Sequence, residues 1–195
     1  MTRAGSARAL YLVRHGESTW NVARRVQGRS ARSSLTPLGF RQADAAATVL
    51  ADVGAVRLLT SDALRARQTA VVIARRVGLP ARPTALLRER CWGVLEGRGL
   101  AEADEADARL LDHQAVQGGE SRADVRDRLT RLVEDLAPEV GPVVLVTHGD
   151  VIGEALRAWG GALRPVALPR NGSVTRLDRP LPTAGNKVDS EVVEN

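Results

Sequence analysis

Apolar residues follow two rhythms along this chain. Short unbroken runs, "ALYLV" at 9–13, "VRLLTS" at 56–61 and "PVVLVT" at 142–147, have the length and composition of buried strands. Between them, longer stretches repeat their apolar residues every three or four positions. "LGFRQADAAATVLADV" (38–53) predicts a helix that Thr36 caps and Pro37 opens, with Leu38, Ala45, Val49 and Val53 near one face. "ALRARQTAVVIARRV" (63–77) predicts a second, stopped by Gly78 and Pro80. A weaker acidic helix is expected within 96–113. In "SRADVRDRLTRLVEDL" (121–136), Val125, Leu129, Leu132, Val133 and Leu136 share one face, and "VIGEALRAWGG" (151–161) follows the strand at 142–147 at once. "GSVTRLD" (172–178) is expected as a last strand, and the aperiodic residues from about Pro180 as a flexible tail.

Strands alternating with helices imply an α/β fold: one three-layer domain over 1–179, with a mostly parallel central sheet covered by helices on both faces, and a tail over 180–195. Neither a repeat nor a domain linker interrupts it. Sheets of this kind hold ligands at the carboxyl ends of their strands. Two strands here end alike: "LYLV" runs into Arg14-His15-Gly16, and "VVLV" into Thr147-His148-Gly149. The fold therefore predicts one crevice for two histidines more than a hundred residues apart.

Composition narrows the partners. At 44% hydrophobic and 26% charged residues the chain reads as an ordinary globular protein, and no apolar run approaches the ~20 residues of a membrane span. The opening residues lack a signal-peptide core, so a cytoplasmic location is expected. Cys91 is the only cysteine, and His15, His113 and His148 form no metal-ligand pair; neither a disulfide nor a metal or other cofactor is expected. The net charge of +5 is almost wholly arginine, interleaved with acids as on a solvated helix face, and aromatic residues are 3%. No nucleic acid and no membrane is expected as a partner. A homodimer stays open.

A lone histidine after a strand is usually a polar residue near a turn. Two strand-end His-Gly pairs, one preceded by an arginine, are a different signal: arginine disfavours the imidazolium and presents a planar fork for phosphate or carboxylate, and a neutral imidazole of fixed tautomer is a nucleophile. Here the residues become recognisable. "LVRHGESTWN" (12–21) resembles the signature of the histidine phosphatase superfamily, the phosphoglycerate-mutase-like enzymes. "RRVQG" (24–28), "LTPLGFRQA" (35–43), "SDALRARQTA" (61–70), "LRERCWGVLEG" (87–97), "GGES" (118–121) and "VVLVTHGDVI" (143–152) are similar to further family motifs in the family's order. A single RHG would carry little weight; the ordered set carries much.

The resemblance implies the phosphoglycerate-mutase-like fold and a metal-independent reaction on a small phosphorylated metabolite. It implies that His15 is the nucleophile that becomes a phosphohistidine and that Glu89 is the general acid and base. Arg14, Arg65 and His148, the last in its charged form, would surround the phosphate with Asn21 as a neutral donor, and Glu17 is a rival carboxylate. Asp62-Ala63 departs from the family's frequent Pro-Leu. Gln27 and Gly28 form a "QG" pair that looks like the phosphatase branch, and the segment between the Glu89 loop and "GGES" is short and acidic where mutases carry more arginine. A phosphatase is therefore expected, with a phosphoglycerate-mutase-type phosphotransferase as the alternative. "ERCWG" pulls toward the mutases, with Arg90 able to bind a substrate carboxylate and Trp92 to line an apolar wall. A catalytically silent binding module and an arginine-rich nucleic-acid binder are the non-enzyme alternatives.

Overall fold

The computed structural model describes residues 9–159 and 168–177; the tail expected from Pro180 lies outside them. Five strands form one sheet in the order β3-β2-β4-β1-β5: β1 (Leu10–Arg14), β2 (Arg57–Ser61), β3 (Ala81–Thr84), β4 (Val143–Thr147) and β5 (Val174–Leu177). The first four are parallel, and β5 runs antiparallel along β1 at one edge.

Strand alternation divides the core. Leu10, Leu12, Leu59, Val143 and Leu145 point to one face, where α5 (Arg122–Asp135) and α6 (Gly149–Trp159) cover them with Val125, Leu129, Leu132, Val151 and Ile152. Val13, Leu58, Val144 and Val146 point to the other, under α2 (Pro37–Leu50) and α3 (Leu64–Val77). The chain thus leaves β1 toward one face and β4 toward the other. Their adjacent carboxyl ends are a topological switch point, where such sheets open a crevice.

The capping predictions hold. Thr36 accepts from the Gly39 amide at the start of α2, and Gly78 ends α3 in the left-handed conformation, φ 71°. The predicted face of α2 does not hold. Leu38, Ala45 and Val49 are exposed, and Gly39, Ala43, Ala46, Ala47 and Leu50 face inward. Small residues let α2 lie close against Ala66 and Ala70 of α3, so size weighs more than hydropathy on this face. β3, "ARPT", is an addition: it is a sheet edge, where charge and proline are tolerated and the apolar signal of a strand is absent. The acidic helix expected within 96–113 is α4 (Leu100–Asp107), and a single turn, α1 (Thr19–Val22), was also unpredicted.

Candidate active site

β1 and β4 pair in register up to Arg14 and Thr147, so the next residue on each strand is a histidine. The His15 amide donates to the Thr147 carbonyl at 3.0 Å, and the two imidazoles stand edge to face with centroids 5.1 Å apart. The two histidines meet as expected, but of the two only His15 lines the cavity described below. Both rings are buried.

Arg65, in the first turn of α3, is completely buried between them. Its Nε lies 3.3 Å from His15 Nε2 and its Nη2 lies 3.2 Å from His148 Nδ1. The Gly28 carbonyl, 2.8 Å from Nη2, and the Ser30 carbonyl, 3.3 Å from Nη1, hold the fork in place. Burial pulls its pKa down to about 10, which leaves it charged at neutral pH. Arg67, two positions on, is exposed.

The histidines are held from behind. His15 Nδ1 lies 2.7 Å from the Gly16 carbonyl, which can only accept, so the ring carries its hydrogen on Nδ1 and its lone pair on Nε2. Burial, then Arg65, keep its pKa well below the ordinary range. His148 Nε2 lies 2.8 Å from Ser61 Oγ, while its Nδ1 accepts from Arg65. Burial and Arg65 also depress His148, so the charged imidazole expected there is disfavoured; a bound dianion is what would restore it.

Arg14 donates through Nη1 to the Pro169 carbonyl at 2.6 Å, whereas its buried Nε has no partner. Gly149 makes room beside it: a Cβ there would sit 3.3 Å from the guanidinium carbon. Asn21 closes a capping box with Ser18. Its Oδ1 accepts from the Ser18 amide at 3.0 Å and from Asn171 Nδ2 at 3.2 Å. With that oxygen engaged, its amide nitrogen is the group left for a ligand.

Glu89 lies on the loop after the 3₁₀ turn Ala85–Leu87, and its Oε1 accepts from the Arg90 amide at 2.9 Å. Burial first, and Asp150 second, raise its pKa to about 7. Arg88 anchors this loop on Asp62 through a 2.5 Å ion pair, so the departure at Asp62 ties the turn before Arg65 to the carboxylate beside it. Glu17 turns elsewhere: it accepts from Thr36 Oγ1 at 2.8 Å, at the start of α2. Gly16 and Gly39 make the surrounding turn compact. A Cβ on either would enter the backbone carbonyl of the other segment.

Arg14, His15, Asn21, Gln27, Gly28, Arg65, Glu89 and Trp92 share one cavity of about 250 Å³. Arg90 does not. It is 3% exposed, donates to Asp107 at 2.6 Å and to the Glu120 carbonyl at 2.9 Å, and lies 4.6 Å over the Trp92 ring. The expected carboxylate-binding role therefore has no free donor fork behind it, because the arginine is spent on fastening the Glu89 loop to α4. Gln27 accepts from Ser33 Oγ at 2.8 Å, and Trp92 donates through Nε1 to Asp150 at 3.1 Å. Cys91 Sγ donates to the Gly118 carbonyl at 3.4 Å.

Sequence reasoning missed Ser61, Asn171 and Asp150. Asn171 Nδ2 donates to the His15 carbonyl at 3.1 Å, tying the segment before β5 to the nucleophile turn. "RNGS" carries only a turn signal, and nothing local marks it as a site. Asp150 directly follows the second His-Gly pair, within "THGD".

Residues 10–180 match the Histidine phosphatase superfamily (branch 1). The chain belongs to this superfamily. It is 38% identical over 184 residues to the probable phosphoglycerate mutase GpmB of Shigella boydii, covering 87% of this chain and 84% of that protein. The mycobacterial glucosyl-3-phosphoglycerate phosphatase solved with VO3 is 37% identical, with a TM-score of 0.77 over 87% of this chain and 92% of that one. TTHB049 from Thermus thermophilus is 34% identical, with a TM-score of 0.70 over 88% of this chain and 94% of that one. This histidine phosphatase thus has relatives carrying mutase and phosphatase names. Among its described residues, no cluster of three or more His, Cys, Asp or Glu is placed to hold a metal ion, and no helix is long and apolar enough to cross a membrane.

Proposed function

We propose that the protein is a phosphatase that hydrolyses a small phosphate monoester through a phosphohistidine on His15. The observation that carries this reading is the His15 ring: Nδ1–H is held by the Gly16 carbonyl, and Nε2 faces Arg65 inside the cavity. A phosphoryl group entering there draws the donors of Arg65, the unpartnered Nε of Arg14 and the amide of Asn21 onto its oxygens. That frees the Nε2 lone pair. His15 Nε2 then bonds to phosphorus as the bond to the leaving oxygen breaks, and protonated Glu89 delivers its proton to that oxygen. The resulting Glu89 carboxylate takes a proton from water, whose oxygen attacks phosphorus and breaks the P–N bond. A carboxyl group poised near pH 7 suits both directions of transfer. Arginine supplies the positive field.

The GpmB relatives favour a second reading, in which a substrate hydroxyl replaces water as acceptor. A mutase holds a second anionic group while the first is transferred. Support for the phosphatase comes from the acidic α4 beside the pocket and from Arg90, which is tied into an ion pair. We assign the reaction to the cytoplasm, in keeping with the chain's composition.

The test is turnover of p-nitrophenyl phosphate and of a panel of phosphorylated metabolites in EDTA, with 3-phosphoglycerate and its bisphosphate included. Release of inorganic phosphate is expected. Interconversion of phosphoglycerate isomers in place of phosphate release would overturn the reading in favour of the mutase.

A further inference from the structure

The leaving oxygen of a substrate must lie between the phosphate at His15 and the carboxyl of Glu89. What is attached to that oxygen extends past Glu89 along the remaining wall of the cavity, formed by Trp92, Asp104, Asp150 and Leu168. The same four residues also line a second cleft of about 190 Å³, which therefore adjoins the first.

The arginines along this path are already paired. Three arginines reach the second cleft, and each is held by a carboxylate: Arg90 and Arg122 by Asp107, and Arg157 by Glu154. Asp150 is in no such pair among the described residues. It accepts one hydrogen bond, from the neutral Trp92 Nε1 at 3.1 Å, and its remaining acceptor capacity faces the cavity. Arg25, the one further arginine on the cavity among the described residues besides Arg14 and Arg65, is exposed and pairs through its backbone with Gly99 at the start of α4. The loop residue best placed in sequence to receive a carboxylate is committed elsewhere, and a carboxylate stands on the leaving-group side.

We infer that Asp150 determines leaving-group specificity: it accepts a hydrogen bond from a leaving group that presents a hydroxyl or ammonium, and it excludes one that carries a carboxylate at that point. The inference rests on the phosphatase reading above. Two anions brought together in a partly enclosed pocket repel strongly, and a group that donates a hydrogen bond gains what the anion loses. Burial works against this by pushing the Asp150 carboxyl above its usual range, while Arg90 and the Trp92 hydrogen bond favour the carboxylate.

Glycerol 3-phosphate and 3-phosphoglycerate differ by a hydroxymethyl against a carboxylate on the same carbon, and they make the test. The wild-type enzyme is expected to prefer glycerol 3-phosphate by about tenfold or more in kcat/KM, and Asp150→Asn to reduce that ratio by about tenfold through faster turnover of 3-phosphoglycerate. Asparagine keeps the acceptor for Trp92 Nε1, and Asp150→Ser is the second variant if the first does not fold. A wild-type preference for 3-phosphoglycerate, or an unchanged ratio in the variants, overturns the inference and leaves the phosphatase reading intact. Failure to hydrolyse either ester or p-nitrophenyl phosphate overturns both.

Discussion

Arg65 donates from Nε toward His15 Nε2 at 3.3 Å, and the same guanidinium reaches His148, which closes the second histidine strand end. The nucleophile and its partner histidine are thus coupled through one buried cation anchored by the Gly28 carbonyl. Arg65→Lys is expected to lower kcat/KM by about 10²–10³, because an ammonium has no planar fork to address both rings and a phosphate together. Steady-state kinetics on p-nitrophenyl phosphate checks this; an activity within about threefold of wild type would remove Arg65 from the proposed phosphate site.

His15→Ala should abolish both turnover and the acid-labile phosphoenzyme. Brief incubation with a 32P-labelled substrate, followed by an alkaline gel, reads the intermediate directly. Label retained in the variant would move the nucleophile to another residue.

Glu89 governs the predicted pH dependence. With His15 depressed well below 6.5 and Glu89 raised to about 7, kcat/KM for an alkyl phosphate should fall as pH rises through about 7, when the acid loses its proton. Glu89→Gln should erase that limb and lower kcat by about 10²–10⁴. A smaller loss is expected for p-nitrophenyl phosphate, whose leaving group needs less protonation.

The same shift has a stability signature. The folded pKa of Glu89 lies above its ordinary 4.5, so the stability this group contributes is complete below about 4.5 and is lost as pH rises to about 7. Glu89→Gln removes the titration. Its Tm should match wild type near pH 4.5 and exceed it at about pH 8, as followed by circular dichroism. Equal Tm values at both pH values would show that the Glu89 pKa is not raised in the folded protein.

Gly39→Ala tests the packing behind the nucleophile. Its Cβ would enter the Glu17 carbonyl, and backbone offers no flexible end to yield. A loss of about 1–3 kcal/mol is expected in urea unfolding, together with lower kcat as the His15 turn shifts.

Four of the five strands, helices α2 to α6, the capped start of α2 and the glycine stop of α3 were readable in the sequence, because each rests on local chemistry: apolar period, a hydroxyl before proline, a residue free to adopt positive φ. The repeated strand ending brings His15 and His148 together, whereas Arg14, Arg65 and Glu89 stand out through the resemblance of their motifs to the family's. What depends on approach across the fold was not readable. The inward face of α2 is alanine and glycine because α3 lies close, which no hydropathy pattern on α2 alone reveals. Arg90 became a strut only where α4 brought Asp107 to it, and Asp150 joined the catalytic cavity only where Trp92 reached across to α6. Sequence determined which residues can do the chemistry, since that is a property of side chains and short motifs. The tertiary structure decided their protonation and partners, because burial and opposing charge come from segments far apart along the chain.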